Sequence, residues 1–193
     1  MFVLCKVETF VIRCVLCDRG YGKDADFNMK QGRISIYTGD GHGKSPADLG
    51  SALQAACKGQ RVVIIQFLKG KGLEDSEFAR RLEPEIKIFR FEKADEDFAS
   101  LDEAGKKEAI MDIKNGMNFA RKVIATGECD LLILDEVLGL IDKQIITEEE
   151  LKELMSSKQD DMSLILTGIT PNENISVLAD EVSGIQTVRS AED

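Results

Sequence analysis

The feature that most constrains the fold is a glycine-rich segment that separates a β-branched run from a helical pattern. The segment at 38–45, TGDGHGKS, follows strand-like residues at 33–38 and precedes residues 44–58, where apolar side chains recur at helical spacing. Glycines lack a Cβ, so consecutive backbone N–H groups can turn inward around an anion. The positive end of the helix dipole would face the same point. The segment therefore predicts a phosphate-binding loop.

The residues that follow the last glycine support this prediction. Lys44 would add a full positive charge, and the Ser45 hydroxyl would lie where a phosphate-bound Mg²⁺ is held. The usual P-loop pattern is G-x-x-x-x-G-K-[ST], and Thr38 stands at its first glycine. Pro46 falls in the first helical turn, where a missing N–H costs no intrahelical bond, so we expect the helix to continue through it. The alternative is a glycine-rich turn of purely structural use. The predicted cradle consists of Thr38, Gly39, Asp40, Gly41, His42, Gly43, Lys44 and Ser45.

Strand and helix patterns alternate along the chain from residue 33. Strand-like runs lie at 33–38, 61–67, 86–91, 130–136, 162–168 and 182–188. Three capping-box patterns predict helix starts, and Gly127 predicts the end of a long helix. The three patterns are Ser100/Glu103, Thr147/Glu150 and Thr170/Glu173. The alternation predicts an α/β fold of the P-loop NTPase-like (RecA-like) type, with a mostly parallel sheet and helices on both faces.

An acidic pair, Asp135 and Glu136, ends the most apolar of these strands. In a parallel sheet the carboxyl ends of the strands share an edge with the glycine loop. A carboxylate at that edge can hold Mg²⁺ directly or through water. Ser45, Asp135 and Glu136 are therefore the predicted metal ligands. The alternative is a solvated pair at a strand end. His42 is the sole histidine, which excludes a multi-histidine metal site.

Composition and net charge restrict the kinds of partner that we expect this chain to bind. The formal net charge of −10 disfavours binding to nucleic acid. No apolar run reaches the roughly 18–20 residues that span a bilayer, so no membrane association is expected. Five cysteines at irregular spacing suggest free thiols in a reducing cytoplasm, and we interpret the pair Cys14 and Cys17 as idle thiols. We therefore expect a cytoplasmic protein.

The first 28 residues differ from the rest, because regular patterns begin only after Met29. We interpret residues 1–28 as an N-terminal extension that is non-native or poorly ordered, with Met29 as the natural start. The alternative is a short lead-in strand at the edge of the domain. Residues 29–193 suit one domain with a hydrophobic core. We expect them to form a single P-loop nucleotide-binding domain.

Four stretches carry a more specific resemblance. They are TGDGHGKS, ADLGSALQAACKGQRVVIIQFLKG, DLLILDEV and the pair LILTG and LADEVS. Over residues 33–188 the chain resembles the ATP:corrinoid adenosyltransferases, and QFLKG at 66–70 is the most discriminating piece. These enzymes move the 5′-deoxyadenosyl group of ATP to the cobalt of a cobalamin precursor.

The resemblance implies ATP and Mg²⁺ as cofactors and a corrinoid, cob(I)alamin or a precursor, as the substrate. It places the reaction in cobalamin biosynthesis or salvage. Because reduced cobalt is itself the nucleophile and triphosphate leaves, Lys44, Ser45 and Glu136 would act by gripping phosphate and metal. The corrin would lie near residues 67–70 and 89–91. A flavoprotein reductant and a second copy of the chain, forming a homodimer, are the implied partners.

The chain departs from the family pattern at three positions. Pro46 stands where a second hydroxyl residue is usual, His42 stands for a lysine, and Ile169 follows Thr167 and Gly168 where an arginine is usual. Loss of that cation predicts triphosphate binding weaker by about 1.5–3 kcal/mol, or roughly ten- to hundredfold. The chain also ends at Asp193, short of the family's usual tail, so we expect weakened activity.

Two other function classes stay open. The first is a P-loop ATPase or kinase with another small-molecule acceptor. The second is a non-catalytic nucleotide-binding relative that senses nucleotide, with the charged helix at 147–158 as its docking face. The P-loop pattern alone does not separate these classes, because it grips phosphate in all of them.

Overall fold

A computed structural model describes residues 31–40, 43–68, 77–91 and 98–189 of the chain. Residues 1–28, interpreted above as an extension, lie outside the described residues, and so does the pair Cys14 and Cys17. The described residues form a sheet flanked by helices.

Strands β1 to β6 are Ile34–Thr38, Val62–Gln66, Ile86–Arg90, Leu131–Asp135, Ser163–Gly168 and Glu181–Gly184. They form one sheet in the order β3-β2-β4-β5-β1-β6, and each neighbouring pair is parallel. The predicted parallel sheet is therefore confirmed. The last strand is shorter than the predicted 182–188, because pairing with β1 ends where Thr38 meets Gly184.

Helices α1 to α6 are Lys44–Ala56, Glu77–Arg80, Glu103–Thr126, Leu138–Asp142, Glu148–Ser156 and Glu173–Ser176. A short 3-10 turn, Phe98–Ser100, precedes α3. Three of these helices, α2, α4 and α6, have only four or five residues, too few for a hydrophobic period to be read from sequence.

Two predicted helix ends are confirmed. The Thr147 hydroxyl accepts the Glu150 N–H at 3.1 Å, and the Glu150 carboxylate accepts the Thr147 N–H at 2.9 Å, which completes a capping box at α5. At the other end of the long helix α3, Gly127 adopts the left-handed conformation with φ 62°. Residues with a side chain rarely take that conformation, so a glycine ends the helix.

The other two predicted capping boxes are wrong. Ser100 lies in the 3-10 turn, and α3 is capped by Asp102, whose carboxylate accepts the Gly105 N–H at 2.7 Å. Likewise α6 is capped by the Asn172 side chain and not by Thr170. Aspartate and asparagine cap helices at least as well as serine and threonine. In both places such a residue lies just after the hydroxyl residue, and the helix begins there.

Alternate residues along the central strands face two separate apolar layers. One face includes Ile65, Leu134 and Leu166 and packs under α3 and α5. The other includes Ile64, Ile133 and Ile165 and packs under α1. Because successive side chains of a strand point to opposite faces, a strand covered by helices on both sides must be apolar throughout. The continuous apolar runs of β2, β4 and β5 follow from this, as does the predicted placement of helices on both faces.

Candidate functional site

The predicted site residues that the structure describes lie at the carboxyl edge of the sheet. Thr38 ends β1, Asp135 ends β4, and β5 lies between these strands and ends at Gly168. Because the strands are parallel, all three ends open on one edge, where α/β proteins bind ligands. Helix α1 begins at that edge with Lys44 and Ser45. The structure thus places the described part of the predicted cradle and the predicted acidic pair on the same side of the sheet.

The described part of the loop is built around Gly39. This residue has φ +122°, a conformation that favours glycine, and its N–H donates to the Ile169 carbonyl at 3.0 Å. Its own carbonyl accepts a hydrogen bond from the Lys44 ammonium at 2.5 Å. Lys44 is only 8% exposed. Gly39 therefore contributes a turn and an anchor for the lysine. Its N–H group is hydrogen-bonded to the loop that follows β5.

Other predicted cradle residues differ in their exposure. Thr38 is buried, whereas Asp40 is exposed and Gly43 and Ser45 are half-buried. Gly41 and His42 lie outside the described residues. Gly43 is the N-cap of α1 and provides no side-chain hydrogen bond to the start of the helix.

Pro46 does not interrupt α1, as predicted. The helix runs unbroken from Lys44 to Ala56, and Pro46 is its exposed third residue. The first N–H groups of a helix have no intrahelical acceptor, so the proline ring removes no backbone bond there.

Ile185, which follows β6, packs against the loop. Its N–H donates to the Thr38 carbonyl at 2.7 Å. A side chain added at Gly39 would overlap the Ile185 carbonyl oxygen, and one added at Gly43 would come within 2.9 Å of the Ile185 side chain. Sequence analysis missed Ile185, since nothing in its local pattern links it to a loop more than 140 residues earlier.

Polar side chains join the ends of β2, β4 and β5. The Gln66 amide donates to Oδ2 of Asp135 at 3.1 Å, and the Thr167 hydroxyl donates to Oδ1 of Asp135 at 3.0 Å. The same hydroxyl accepts the Glu136 N–H at 2.8 Å. Asp135 is 2% exposed, and Glu136 has φ 64°. The Asp135 carboxylate is thus held inside the protein, while the chain turns sharply at Glu136.

A cavity of about 440 Å³ opens beside this network. Its lining residues come from the ends of β2, β4 and β5 and from α4: Leu68, Glu136, Gly139, Asp142, Lys143, Ile169 and Thr170. Glu136 therefore faces a space large enough for part of a ligand. Ile169, at 54% exposure, supplies an apolar wall at the position where the resemblance leads one to expect an arginine.

Phe67 begins one of the two segments predicted to lie near the corrin, but its side chain is not exposed to a ligand. Phe67 is fully buried in the main core. Phe89 and Phe91 are half-buried and pack on Phe119, with ring centroids 4.7 and 5.6 Å apart. These aromatic residues therefore pack against α3 as part of the core and its margin. Residues 69–70, also predicted to lie near the corrin, are outside the described residues.

The described residues contain no cluster of three or more His, Cys, Asp or Glu side chains able to bind a metal ion. None of the helices among them is long and apolar enough to cross a membrane.

Comparison with known proteins agrees with the fold. The structure is similar to a KaiC-like protein, PH0186, from Pyrococcus horikoshii OT3, with a TM-score of 0.55 and 16% identity. The similarity covers 81% of this chain and 72% of that one. At this identity it supports the P-loop α/β architecture and nothing about activity.

Sequence comparison is more specific. The corrinoid adenosyltransferase of Escherichia coli (strain K12) is 26% identical over 164 residues, covering 85% of this chain and 81% of that protein. The corrinoid adenosyltransferase CobA of Salmonella typhimurium is 26% identical over 176 residues, covering 91% and 87%. An uncharacterized Nostoc protein, all2391, is 29% identical over 148 residues, and the match spans 39% of its length. The model of the family ATP:corrinoid adenosyltransferase BtuR/CobO/CobP matches residues 30–193, and the chain belongs to that family.

Proposed function

We propose that this chain transfers the 5′-deoxyadenosyl group of ATP to the cobalt(I) of a corrinoid and releases triphosphate. The observation that carries the proposal is the placement of Lys44 and the Gly39 turn on the same sheet edge as Asp135, in a member of this family. That edge brings together a cation and the positive end of the α1 dipole, both of which attract a polyanion.

In this reaction the cobalt(I) electron pair attacks the 5′ carbon of ATP. A cobalt–carbon bond forms, the bond from the 5′ carbon to oxygen breaks, and its electrons leave with triphosphate. Cobalt is formally oxidised from (I) to (III). The protein needs no nucleophile of its own. Its contribution is to orient the two substrates and to stabilise the charge that develops on the departing triphosphate, which is the role we assign to Lys44 and the start of α1.

The side chains at this edge fit Mg²⁺. Mg²⁺ prefers oxygen ligands, keeps several waters and uses few protein carboxylates when phosphates are present, so it needs no dense acidic cluster. The Ser45 hydroxyl would bind it directly. Asp135 would act through water, because both of its oxygens already accept protein hydrogen bonds. Glu136 faces the neighbouring cavity and would assist from there. When bound, the ion neutralises charge on the leaving group.

We expect the activity to be weaker than is usual for the family. Ile169 lines the cavity with an apolar side chain, and Pro46 offers no hydroxyl next to Ser45. The flavoprotein reductant, the homodimer and the cytoplasmic location stay predictions.

The reaction can be tested with purified protein, ATP, Mg²⁺ and chemically reduced cob(I)alamin. We expect a light-sensitive adenosyl product, followed by absorbance, and tripolyphosphate, identified by phosphorus NMR. Release of ADP or of phosphate would instead indicate an ATPase or kinase. ATP binding with no product would indicate a nucleotide-binding relative, an alternative that the apolar Ile169 favours.

The Lys44→Ala variant tests the premise that these functions share. Loss of a charged hydrogen bond should weaken ATP binding by about ten- to hundredfold in calorimetry. Lys58→Ala is the matched control, because Lys58 is exposed just beyond the other end of α1. Equal ATP affinity in the two variants would contradict the predicted cradle.

A further inference from the structure

Each oxygen of the Asp135 carboxylate accepts a hydrogen bond from a neighbouring strand. Gln66, at the end of β2, reaches one oxygen, and Thr167, near the end of β5, reaches the other. All three residues are at most 5% exposed. Such bonds are stronger inside a protein than in water. Because they approach from the strands on either side of β4, the plane of the carboxylate is fixed.

Thr167 also sets the backbone beyond Asp135. A hydroxyl has one proton to donate, and here that proton goes to Asp135, while the oxygen accepts the Glu136 N–H at 2.8 Å. Glu136 has φ 64°, a conformation that residues with side chains adopt rarely. Thr167 therefore links the orientation of the carboxylate to the turn that directs Glu136 toward the cavity.

The hydrogen bond to Asp135 determines which way the Gln66 side-chain amide is oriented. A carboxylate only accepts hydrogen bonds, so the NH₂ group must face Asp135 and the carbonyl oxygen Oε1 must face away. Oε1 is buried and has no hydrogen-bond partner among the described residues. Gln66 lies opposite Asp135 in the pairing of β2 with β4, at the carboxyl edge of the sheet. A buried carbonyl oxygen in this position is suited to accept a hydrogen bond from a ligand of the site.

We propose that Gln66 and Thr167 are positioning residues that orient Asp135 toward the metal–nucleotide complex, and that Gln66 Oε1 accepts a hydrogen bond from a water bound to Mg²⁺. The inference rests on the proposed function, since it takes Mg²⁺–ATP as the ligand of this edge. It assigns Gln66 and Thr167 no contact with the reacting carbon or cobalt. Their effect is on how strongly Mg²⁺ promotes ATP binding.

The test measures ATP affinity by calorimetry, once with Mg²⁺ and once with EDTA, without any corrinoid. The ratio of the two affinities reports the coupling between metal and nucleotide. We expect Thr167→Val and Gln66→Leu to lower this ratio by about tenfold or more, as expected for lost hydrogen bonds to a charged group. Affinity in EDTA should stay within about twofold, and Thr167→Ser, which keeps the hydroxyl, should retain the ratio.

Matched controls are available at the opposite edge of the sheet. Thr126→Val removes a hydroxyl that bonds only the backbone of α3, and Gln159→Leu removes an amide that donates to the Ile124 carbonyl. Both should leave the ratio unchanged. Thermal unfolding shows that each variant is folded before titration. Should Thr167→Val fail to fold, Gln66→Leu and Thr167→Ser decide the question.

Two results would overturn the inference alone. One is an unchanged ratio in the folded valine and leucine variants. The other is an equal loss of affinity with and without metal, which would mean that these residues only maintain the fold. Wild-type protein that does not bind ATP would overturn the proposed function as well. Because the readout requires no corrinoid, a failure of adenosyl transfer leaves the inference standing.

Discussion

Gly39 lies against the backbone of Ile185 so closely that a side chain at position 39 would overlap the Ile185 carbonyl oxygen. Gly39 also has φ +122°. Replacement by alanine must therefore change the backbone of the loop or displace the segment after β6. We expect Gly39→Ala to destabilise the protein by about 1–3 kcal/mol and to weaken ATP binding, as measured by urea unfolding and calorimetry.

Gly50→Ala is the matched control for this substitution. Gly50 lies within α1, and a Cβ there meets no atom within 4 Å. Alanine should stabilise that helix by about 0.5–1 kcal/mol and leave ATP affinity unchanged. A Gly39→Ala protein as stable as wild type, with full affinity, would contradict the described loop.

Ile169→Arg should strengthen ATP binding. The Ile169 side chain lines the cavity beside Glu136, and its carbonyl accepts the Gly39 N–H, so a long cationic side chain would start next to the loop. A guanidinium that reaches a phosphate should improve affinity by about tenfold or more in calorimetry. Val177→Arg, at a position 78% exposed and outside the cavity lining, controls for the added charge. Equal gains in both variants would show only a general charge effect.

Acid should destabilise the contact between α5 and α6. The Asn172 amide and then the Asn174 amide donate to the Glu148 carboxylate, each at 2.9 Å, and hold its pKa below the ordinary value of 4.5. A lowered pKa in the folded state means that the stabilisation is present above pH 4.5. It is lost as the pH falls through the folded-state pKa.

The Asn174→Ala variant should therefore show a shallower loss of unfolding free energy between about pH 5 and pH 3. Asn118→Ala is the control, because Asn118 bonds Arg121 on the surface of α3 and no carboxylate. Urea unfolding across this range gives the slopes. Identical slopes in wild type and Asn174→Ala would show that Glu148 does not depend on this amide.

The two described cysteines should differ in reactivity. Burial, and then the neighbouring Asp130 carboxylate, raise the pKa of the Cys129 thiol to about 12, and Cys129 is 3% exposed. Cys57 is exposed. Because the thiolate is the reactive form, iodoacetamide at about pH 8 should label Cys57 and spare Cys129 until urea is added. Peptide mapping by mass spectrometry distinguishes the two sites. Equal labelling rates in the native protein would contradict the burial of Cys129.

Most of the fold could be predicted because its signals are local. Strands β2, β4 and β5 each contain a continuous apolar run, and such runs are typical of strands covered on both faces. Gly127 and the Thr147 capping box also act over a few residues. The errors at Asp102 and Asn172 arose where two capping residues lie close together. Which of two neighbouring capping residues starts the helix depends on the backbone geometry that the following turn allows.

Only part of the candidate site could be predicted, because only some of its residues lie beside a local sequence signal. Lys44, Ser45 and Asp135 lie next to a glycine loop or a strand end that marks them. Gln66 and Thr167 belong to the site only through their contacts with Asp135. Gln66 is 69 residues away from Asp135 in the chain, and Thr167 is 32 residues away. Strand order brings these residues together. Sequence periodicity predicts the strands and does not predict which strands are neighbours.

The position of β5 between the two halves of the site has a thermodynamic consequence. One end of this strand touches both halves: Gly168 pairs with Thr38, and Thr167 bonds Asp135. Cradle and carboxylate are thereby connected through a single rigid backbone. The conformational entropy of aligning them is lost when the protein folds. A nucleotide therefore binds to groups that are already aligned, and the entropic cost of its binding is smaller.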